Sequence, residues 1–470
     1  MNSKYSEPIF FLCNDPERAL GLEDILENFH IICIDNTPIV QVARSRGINI
    51  FSLAESEGKT NPVYRSTVNL LKSIKVHNYI RENTPKDANV NVMVFKTSLR
   101  IEKMCKEFGY NLLNTTSALN KKFELKISQY NSLNNLISFF PKTVITPLNK
   151  INYHELKKQL GEKFVIQYNR GHTGNSTKFI KNEEEYKAER EKYPNRLARI
   201  AEFIEGEIYT MNMCVTRYGP AYGGLSYQIT GIEELTSREG GTIGNDWLYP
   251  QKLGEKVHNQ IKEIISRIQT SLYDSGYRGL LGIDIIVTNK QKVYLIEINA
   301  RQPASTSMHT KLMLHEEFIP LQAFHIAEFM FPEEGKYIRF LNKYFKKGLS
   351  ENNISKFLEE QNKLATIPVE ASQLIFRNTY SKRRKIEENV EQGIYVFNNK
   401  LLVKTNEGYN ISDTIPGEYL ILTTKRNQLV SPDNEVARIQ TLDTILTKEG
   451  RLKSIPKRII KKIQNNVKLI

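Results

Sequence analysis

Short apolar runs and longer amphipathic stretches alternate along the first quarter of the chain. PIFFLC, HIICID, INIF and VNVMVF are separated by LEDILENF, STVNLLKSIKVHNYIREN and LRIEKMCKEFG, the last two with helical periodicity. That alternation predicts a small parallel α/β unit over residues 1–115. From 116 to 335 the pattern changes. FELKISQYNSLNNLISFFPKTVIT reads as helix running into a strand after a proline. KFVIQYNRGHTGNSTKFI reads as strand, polar loop, strand, and RIAEFIEGEIYTMNM as two strand pieces about Gly206. From 336 to 455, LATIPVEASQLIFRN, GIYVFNNKLLVKTNEGYNI and EYLILTTKRNQLVSPDNEVARIQ alternate like short antiparallel strands with Asn and Gly turns, a β-rich C-terminal domain. In the tail, 456–470, Ile459, Ile460, Ile463, Val467 and Ile470 recur at helical spacing with lysines opposite and Pro456 in the first turn.

One hairpin departs from the rule that strand interiors are apolar. LLGIDIIV and KVYLIEIN are joined by TNKQ, and each carries one carboxylate, Asp284 and Glu297. Residues i and i+2 of a strand share a face, so Glu297, Asn299 and Arg301 are expected together. Leu295 is expected on that face, with Ile296 and Ile298 opposite. A water-facing polar side would account for these residues without function. The density of Ile, Leu and Val instead suggests sheet interior, where a carboxylate requires a partner. Two acids and an amide oxygen form a hard, all-oxygen set, suited to Mg²⁺ bridging to phosphates rather than to Zn²⁺.

Composition narrows the classes. A chain of 470 residues implies roughly two to four domains. No run of 18 apolar residues predicts a membrane span, and the apolar patch near the N-terminus reads as a first strand rather than a signal peptide. Four cysteines without CxxC spacing suggest reduced, buried thiols and a cytoplasmic protein. The net charge of +14 is concentrated: residues 336–470 hold 25 Lys and Arg against 14 Asp and Glu. Basicity is therefore a property of the C-terminal third and gives no ground for a sequence-specific nucleic-acid partner. The first strand is followed by CNDPERAL, which lacks the GxGxxG dinucleotide fingerprint.

Taken in order, these features resemble the ATP-grasp family over residues 1–335. The implied fold mixes α/β and α+β: a small parallel α/β domain, two lobes that clamp ATP (116–335), then the β-rich domain. The resemblance is strongest at the hairpin. It implies Asp284, Glu297 and Asn299 as Mg²⁺ ligands and Arg301 as the catalytic contact to the transferred phosphoryl group. It implies Lys126 as a phosphate-binding lysine, the loop with Gly171, Thr173 and Gly174 as a phosphate cover, and EFIEG as the inter-lobe hinge, reading adenine around Glu202 and Ile204. Two positions depart from the family pattern. Gln167 in FVIQY stands where many members carry a second lysine, with Arg170 and Lys178 as nearby cations. Glu207 stands one position before the acid that commonly holds the ribose. The segment 224–247, rich in Gly, Thr and Ser, is expected to be a loop contacting substrate through Gln228, Asn245 and Asp246.

The implied activity is ATP- and Mg²⁺-dependent ligation: a carboxylate is activated as an acyl phosphate and passed to an amine or similar nucleophile. Both substrates are then small molecules, and no Ser, Cys or His nucleophile is required. The alternative is a non-catalytic nucleotide-binding or interaction protein on the same scaffold, a reading fed by Gln167. For the tail, a docked terminal helix stands beside a peripheral membrane or acidic-partner surface.

Overall fold

The structure, a computed structural model, describes residues 7–61, 65–169, 177–238 and 240–470. The N-terminal unit is a five-stranded parallel sheet, ordered β3-β2-β1-β4-β5. Its strands are β1 (Ile9–Cys13), β2 (Phe29–Cys33), β3 (Asn49–Ser52), β4 (Asn91–Val94) and β5 (Asn111–Leu112). The apolar runs are unbroken because both faces are covered. Phe10, Leu12, Ile32 and Val92 enter one core, and Ile9, Phe11, Ile31 and Met93 the other.

A smaller antiparallel sheet follows, ordered β6-β9-β7-β8, from β6 (Thr143–Pro147), β7 (Phe164–Gln167), β8 (Thr177–Ile180) and β9 (Leu197–Glu202). One face packs Phe164, Ile166, Ile180 and Ile200 against the helices Tyr153–Leu160 and Glu183–Lys192. The first of these helices starts at a capping box, Asn152 with Glu155. Register puts Gln167 beside Arg199 and Val165 beside Ala201 on the opposite face.

The third sheet has ten antiparallel strands. Its first half comprises β10 (Glu207–Thr216), β11 (Gly219–Thr230), β12 (Thr242–Asp246), β13 (Gly279–Val287) and β14 (Val293–Asn299). The C-terminal strands are β15 (Ser372–Arg377), β16 (Arg384–Glu388), β17 (Gly393–Asn398), β18 (Leu401–Asn406), β19 (Glu418–Thr423), β20 (Leu429–Val430), β21 (Glu435–Thr441) and β22 (Lys468–Leu469); β16, β20 and β22 form a separate small sheet, β20-β16-β22, and the other five complete the ten. The sheet order is β14-β13-β10-β11-β12-β15-β21-β19-β17-β18. This corrects the expectation of a separate β-rich unit from residue 336. That region opens with the helices Glu334–Phe345 and Ile354–Ala365, and its strands then extend the central sheet through β12–β15 pairing. Gly244 permits the junction, since a Cβ there would lie 2.1 Å from the Gln373 carbonyl oxygen.

The tail is a docked helix: Ser454–Asn466 buries Ile459, Ile460 and Ile463 in the main core, and β22 pairs with β16. Its apolar face is covered, while Lys457, Arg458, Lys461 and Lys462 are exposed. No helix among the described residues is long and apolar enough to cross a membrane. All four cysteines are free and buried.

Candidate functional site

The β13–β14 hairpin places the acids. Asp284 pairs with Glu297, and Ile285 pairs with Leu295, so a bulge leaves Ile296 without an opposite residue. One extra residue reverses the faces beyond it. Leu295 therefore joins Ile298 and Ala300 in the core, while Ile296, Glu297 and Asn299 are half-buried together. The strict alternation expected from sequence, which put Leu295 beside Glu297, fails at this bulge.

Asp284 is held from three sides. Its Oδ1 accepts from Thr210 Oγ1 at 2.6 Å and Gln228 Nε2 at 2.8 Å, and its Oδ2 accepts from Asn299 Nδ2 at 2.9 Å. Burial pushes its carboxyl upward, against the pull of these donors and of the Lys126 charge. Gln228, expected at a substrate, thus orients an acid of the hairpin, and Thr242 Oγ1 holds its other end at 2.7 Å. Arg301 donates Nη2 to Asn299 Oδ1 at 3.2 Å and Nε to Glu124 Oε1 at 3.2 Å.

Lys126 opens the helix Lys126–Ser132. Gln129 of that helix clamps the β14 backbone: Nε2 donates to the Ile298 carbonyl at 2.7 Å, and Ile298 N–H donates to Oε1 at 3.1 Å. The clamp brings the Lys126 ammonium into an ion pair with Glu297. Burial lowers the Lys126 pKa to about 8, with Arg199 and Arg301 also acting to lower it.

Arg199 is the residue that sequence reasoning missed. It is 1% exposed, opposite Gln167, with Nη1 donating to the Ile296 carbonyl at 3.3 Å. Its guanidinium lies 5.4 Å from the Tyr130 ring and 5.1 Å from that of Phe140. Among the described residues its Nε has no hydrogen-bond partner. Burial brings its pKa down to about 10. The available signal was a lone cation in the strand LARIAEF, the same kind of break that marks the hairpin acids.

At the hinge, Glu202 and Ile204 are half-buried, and Phe203 N–H donates to the Lys163 carbonyl at 3.2 Å. Gly206 is required by close approach, because a Cβ would meet the Val287 carbonyl oxygen at 2.6 Å. Glu207 accepts from Tyr209 and Tyr249 hydroxyls at 2.6 and 2.9 Å and from Lys252 at 2.5 Å. Against burial, those donors hold its pKa down. Gln167 is buried on the face that carries Arg199, and Lys178 is exposed. Gly171, Thr173, Gly174 and Arg170 lie outside the described residues.

The three residues expected on a substrate loop lie instead on β11 (Gln228) and β12 (Asn245, Asp246). Asn245 donates to Ser226 Oγ at 3.0 Å and accepts from Gln373 Nε2 at 2.9 Å. Asp246 is 0% exposed. Its oxygens accept from the N–H groups of Leu248, Tyr249 and Ile445 and from the hydroxyls of Ser372 and Thr444. It fastens β12 to the C-terminal strands, which corrects its assignment to substrate.

Residues 124–305 match the family model of the ATP-grasp domain. Comparison with curated proteins finds no match. Three solved structures illustrate the fold. The biotin carboxylase domain of the Hydrogenobacter thermophilus 2-oxoglutarate carboxylase, in complex with MgADP, ADP and bicarbonate, is 11% identical, with 99% of this chain and 91% of that chain covered and a TM-score of 0.60. The L-amino acid ligase of Bacillus licheniformis is 11% identical, with 100% and 99% covered and a TM-score of 0.55. The N5-carboxyaminoimidazole ribonucleotide synthetase of Thermotoga maritima is 12% identical, with 99% of each chain covered and a TM-score of 0.54. At these identities the likeness establishes the fold.

Proposed function

We take as premise that residues 124–305 form an ATP-grasp domain, and we propose that the chain is an ATP- and Mg²⁺-dependent, ADP-forming ligase joining a carboxylate to an amine. The observation that carries the proposal is the convergence of Asp284, Glu297, Asn299, Arg301 and Lys126 at one end of the hairpin.

The donor set fits Mg²⁺. Among the described residues no group of three or more His, Cys, Asp or Glu is placed to hold a metal. Two carboxylates and an amide oxygen suit an ion that takes one or two carboxylates plus substrate phosphates. Asp284, Glu297 and Asn299 would hold it, and bound there it would neutralise charge on the β- and γ-phosphates.

The chain's own residues do the rest. Thr210 and Gln228 fix the Asp284 carboxylate, and Asn299 links that acid to Arg301. Arg301 would stabilise the phosphoryl group in transfer, and Lys126 and Arg199 would add cations for the phosphate chain. The substrate carboxylate oxygen attacks the γ-phosphorus and ADP departs with the bond electrons. The amine then attacks the acyl carbon, phosphate leaves, and the amine proton passes to solvent or phosphate. Burial raises the thiols of Cys13, Cys33, Cys105 and Cys214, so no thiolate competes as nucleophile.

The non-catalytic alternative rested on Gln167 in place of a lysine. Arg199, directly opposite, supplies a cation to that face and supports the enzymatic reading. The test supplies purified protein with ATP, Mg²⁺ and mixtures of amino acids and dicarboxylates, then reads phosphate release and product mass. ADP, phosphate and a condensed product are expected. Nucleotide binding without turnover across the panel would favour the binding-protein alternative, and AMP formation would overturn the acyl-phosphate route.

A further inference from the structure

A second charged cluster lies at the carboxyl ends of β1 and β2. The strand order reverses between β1 and β4, so the β1 end borders a topological switch point, where open parallel sheets take ligands. Asp15, Glu17 and Arg18 follow β1, Asp35 and Thr37 follow β2, and Arg65 comes from a later segment. Arg65 Nη2 reaches Asp15 Oδ1 at 2.5 Å and also pairs with Asp35 Oδ2. Arg18 Nε donates to Asp15 Oδ2 at 3.1 Å.

Those contacts satisfy Asp15 and one oxygen of Asp35. Five other buried oxygens have no partner among the described residues: Asn14 Oδ1, Glu17 Oε2, Asp35 Oδ1, Thr37 Oγ1 and Gln302 Oε1. Asp35, Thr37 and Gln302 are each 3% exposed. The unpartnered donor in the same cluster is Arg65 Nε. A buried acceptor without a donor is costly, so with Glu17 and Asp35 ionised the cluster is short of hydrogens. Three carboxylates face two guanidiniums here, while Arg438, nearby, is held by Glu435 at 2.7 Å. With Glu17 and Asp35 ionised, the local balance is anionic.

The cluster adjoins the phosphoryl site. The guanidiniums of Arg18 and Arg301 lie 4.3 and 5.3 Å from the same ring, Phe95. Gln302, next in sequence to Arg301, donates Nε2 to the Arg18 carbonyl at 2.7 Å. Ser307 Oγ donates to the Glu17 carbonyl at 2.6 Å.

We propose that this cluster binds the ammonium group of the amine substrate, with Glu17 and Asp35 as its anionic acceptors and Gln302 as a neutral one. The proposal rests on the ligase reading above and names the place of its second substrate. An ammonium supplies three donors and a positive charge, which answers both deficits. Burial, then the charge of Asp15, pushes Glu17 and Asp35 up to about 8. The other charged groups acting on them are Arg65, Arg438 and Glu435. At neutral pH the two carboxyls therefore hold protons, which an incoming ammonium displaces.

The test is calorimetric titration of the full-length chain without ATP. The probes are L-lysine, glycine methyl ester and cadaverine, each beside its N-acetylated counterpart, at pH 7 in two buffers of different ionisation enthalpy. At least one ammonium probe is expected to bind with net proton release, and its acetylated counterpart to bind ~10-fold or more weakly. Glu17→Gln and Asp35→Asn should weaken that probe by a similar factor, while Glu17→Asp, which keeps the charge, retains measurable binding. Melting curves identify a variant that has merely unfolded. Failure of every ammonium probe, equal binding of the acetylated forms, or unchanged binding in the neutral variants would overturn the proposal. MgATP turnover by the wild-type chain is measured separately, so failure of the ligase reading is told apart from failure of this cluster.

Discussion

Two clusters of charge each bring a guanidinium to Phe95, and they are built in opposite ways. The hairpin cluster sits on strands, and its groups answer one another: Asp284 has three donors, Glu297 has Lys126, and Asn299 faces both Asp284 and Arg301. The switch-point cluster sits on loops, and its oxygens outnumber its donors. The first contains enough cation to meet a polyanion, and the second contains enough unpartnered oxygen to meet a cation. A ligase that joins an activated acid to an amine requires one of each, side by side.

The largest expected effect lies in the hairpin. Asp284→Asn and Glu297→Gln preserve shape and remove charge. Each should lower turnover by ~100-fold or more, equivalent to about 3 kcal/mol on the barrier. Melting temperature should change little, because Asp284 is a desolvated carboxylate whose burial already disfavours its charge. Steady-state assays beside melting curves check both statements. Near-normal turnover in the two variants would remove the hairpin from phosphoryl transfer and leave the comparison without its first half.

What was legible in the sequence follows the same division. Asp284 and Glu297 stood out because each interrupts an otherwise apolar strand, a break readable without knowing the fold. Arg199 interrupts LARIAEF in the same way, but a single long cation in a strand also reads as a side chain snorkelling to water. Only β7–β9 pairing puts it beside Gln167. The bulge at Ile296 left no trace, since one inserted residue changes the faces without changing composition. The switch-point cluster was illegible for a further reason. CNDPER and CIDNTP look like ordinary polar turns after strands, and nothing local shows that Asp15 and Asp35 share one guanidinium. The junction of β12 with β15 is similarly a long-range pairing, so the C-terminal strands read as a domain of their own.

A middle-sized effect tests how the hairpin cluster obtains its cation. Arg199→Gln should weaken ATP binding by ~10-fold, about 1.4 kcal/mol, by removing a charge from the phosphate side. Gln167→Lys introduces the family's usual lysine, but directly opposite a buried guanidinium. Two cations in that register repel, so this variant should lose about 1–3 kcal/mol of stability without binding ATP more tightly. The double variant, Gln167→Lys with Arg199→Gln, moves the charge across one strand pair and should recover most of both losses. Nucleotide titration with melting curves reads the three chains. Simple additivity of the two changes would mean that the residues do not share one electrostatic role.

The smallest effect concerns pH and separates the clusters by sign. Glu17 and Asp35 are pushed up to about 8 from ordinary values of 4.5 and 3.8. Between those limits the folded chain holds protons that the unfolded chain has lost, so stability is greatest at the acidic end and declines as pH rises toward 8. Asp15 acts oppositely: against burial, Arg18 and Arg65 hold it down to about 2, and its contribution is lost only as pH falls below 3.8. Lys126, lowered to about 8 by burial, adds stability with rising pH only above that value. Burial lowers His30, His309 and His325 to about 4, so they add stability as pH rises to 6.5; a window from pH 6.5 to 8 excludes these histidines, Asp15 and Lys126 and leaves the raised acids. Thermal melting across the window should show a downward slope in the wild-type chain and a shallower one in Glu17→Gln, whose amide does not titrate. An equal slope in the two chains would mean that Glu17 is already ionised at pH 6.5, and the contrast between a self-paired hairpin and a donor-poor switch point would then rest on Asp35 alone.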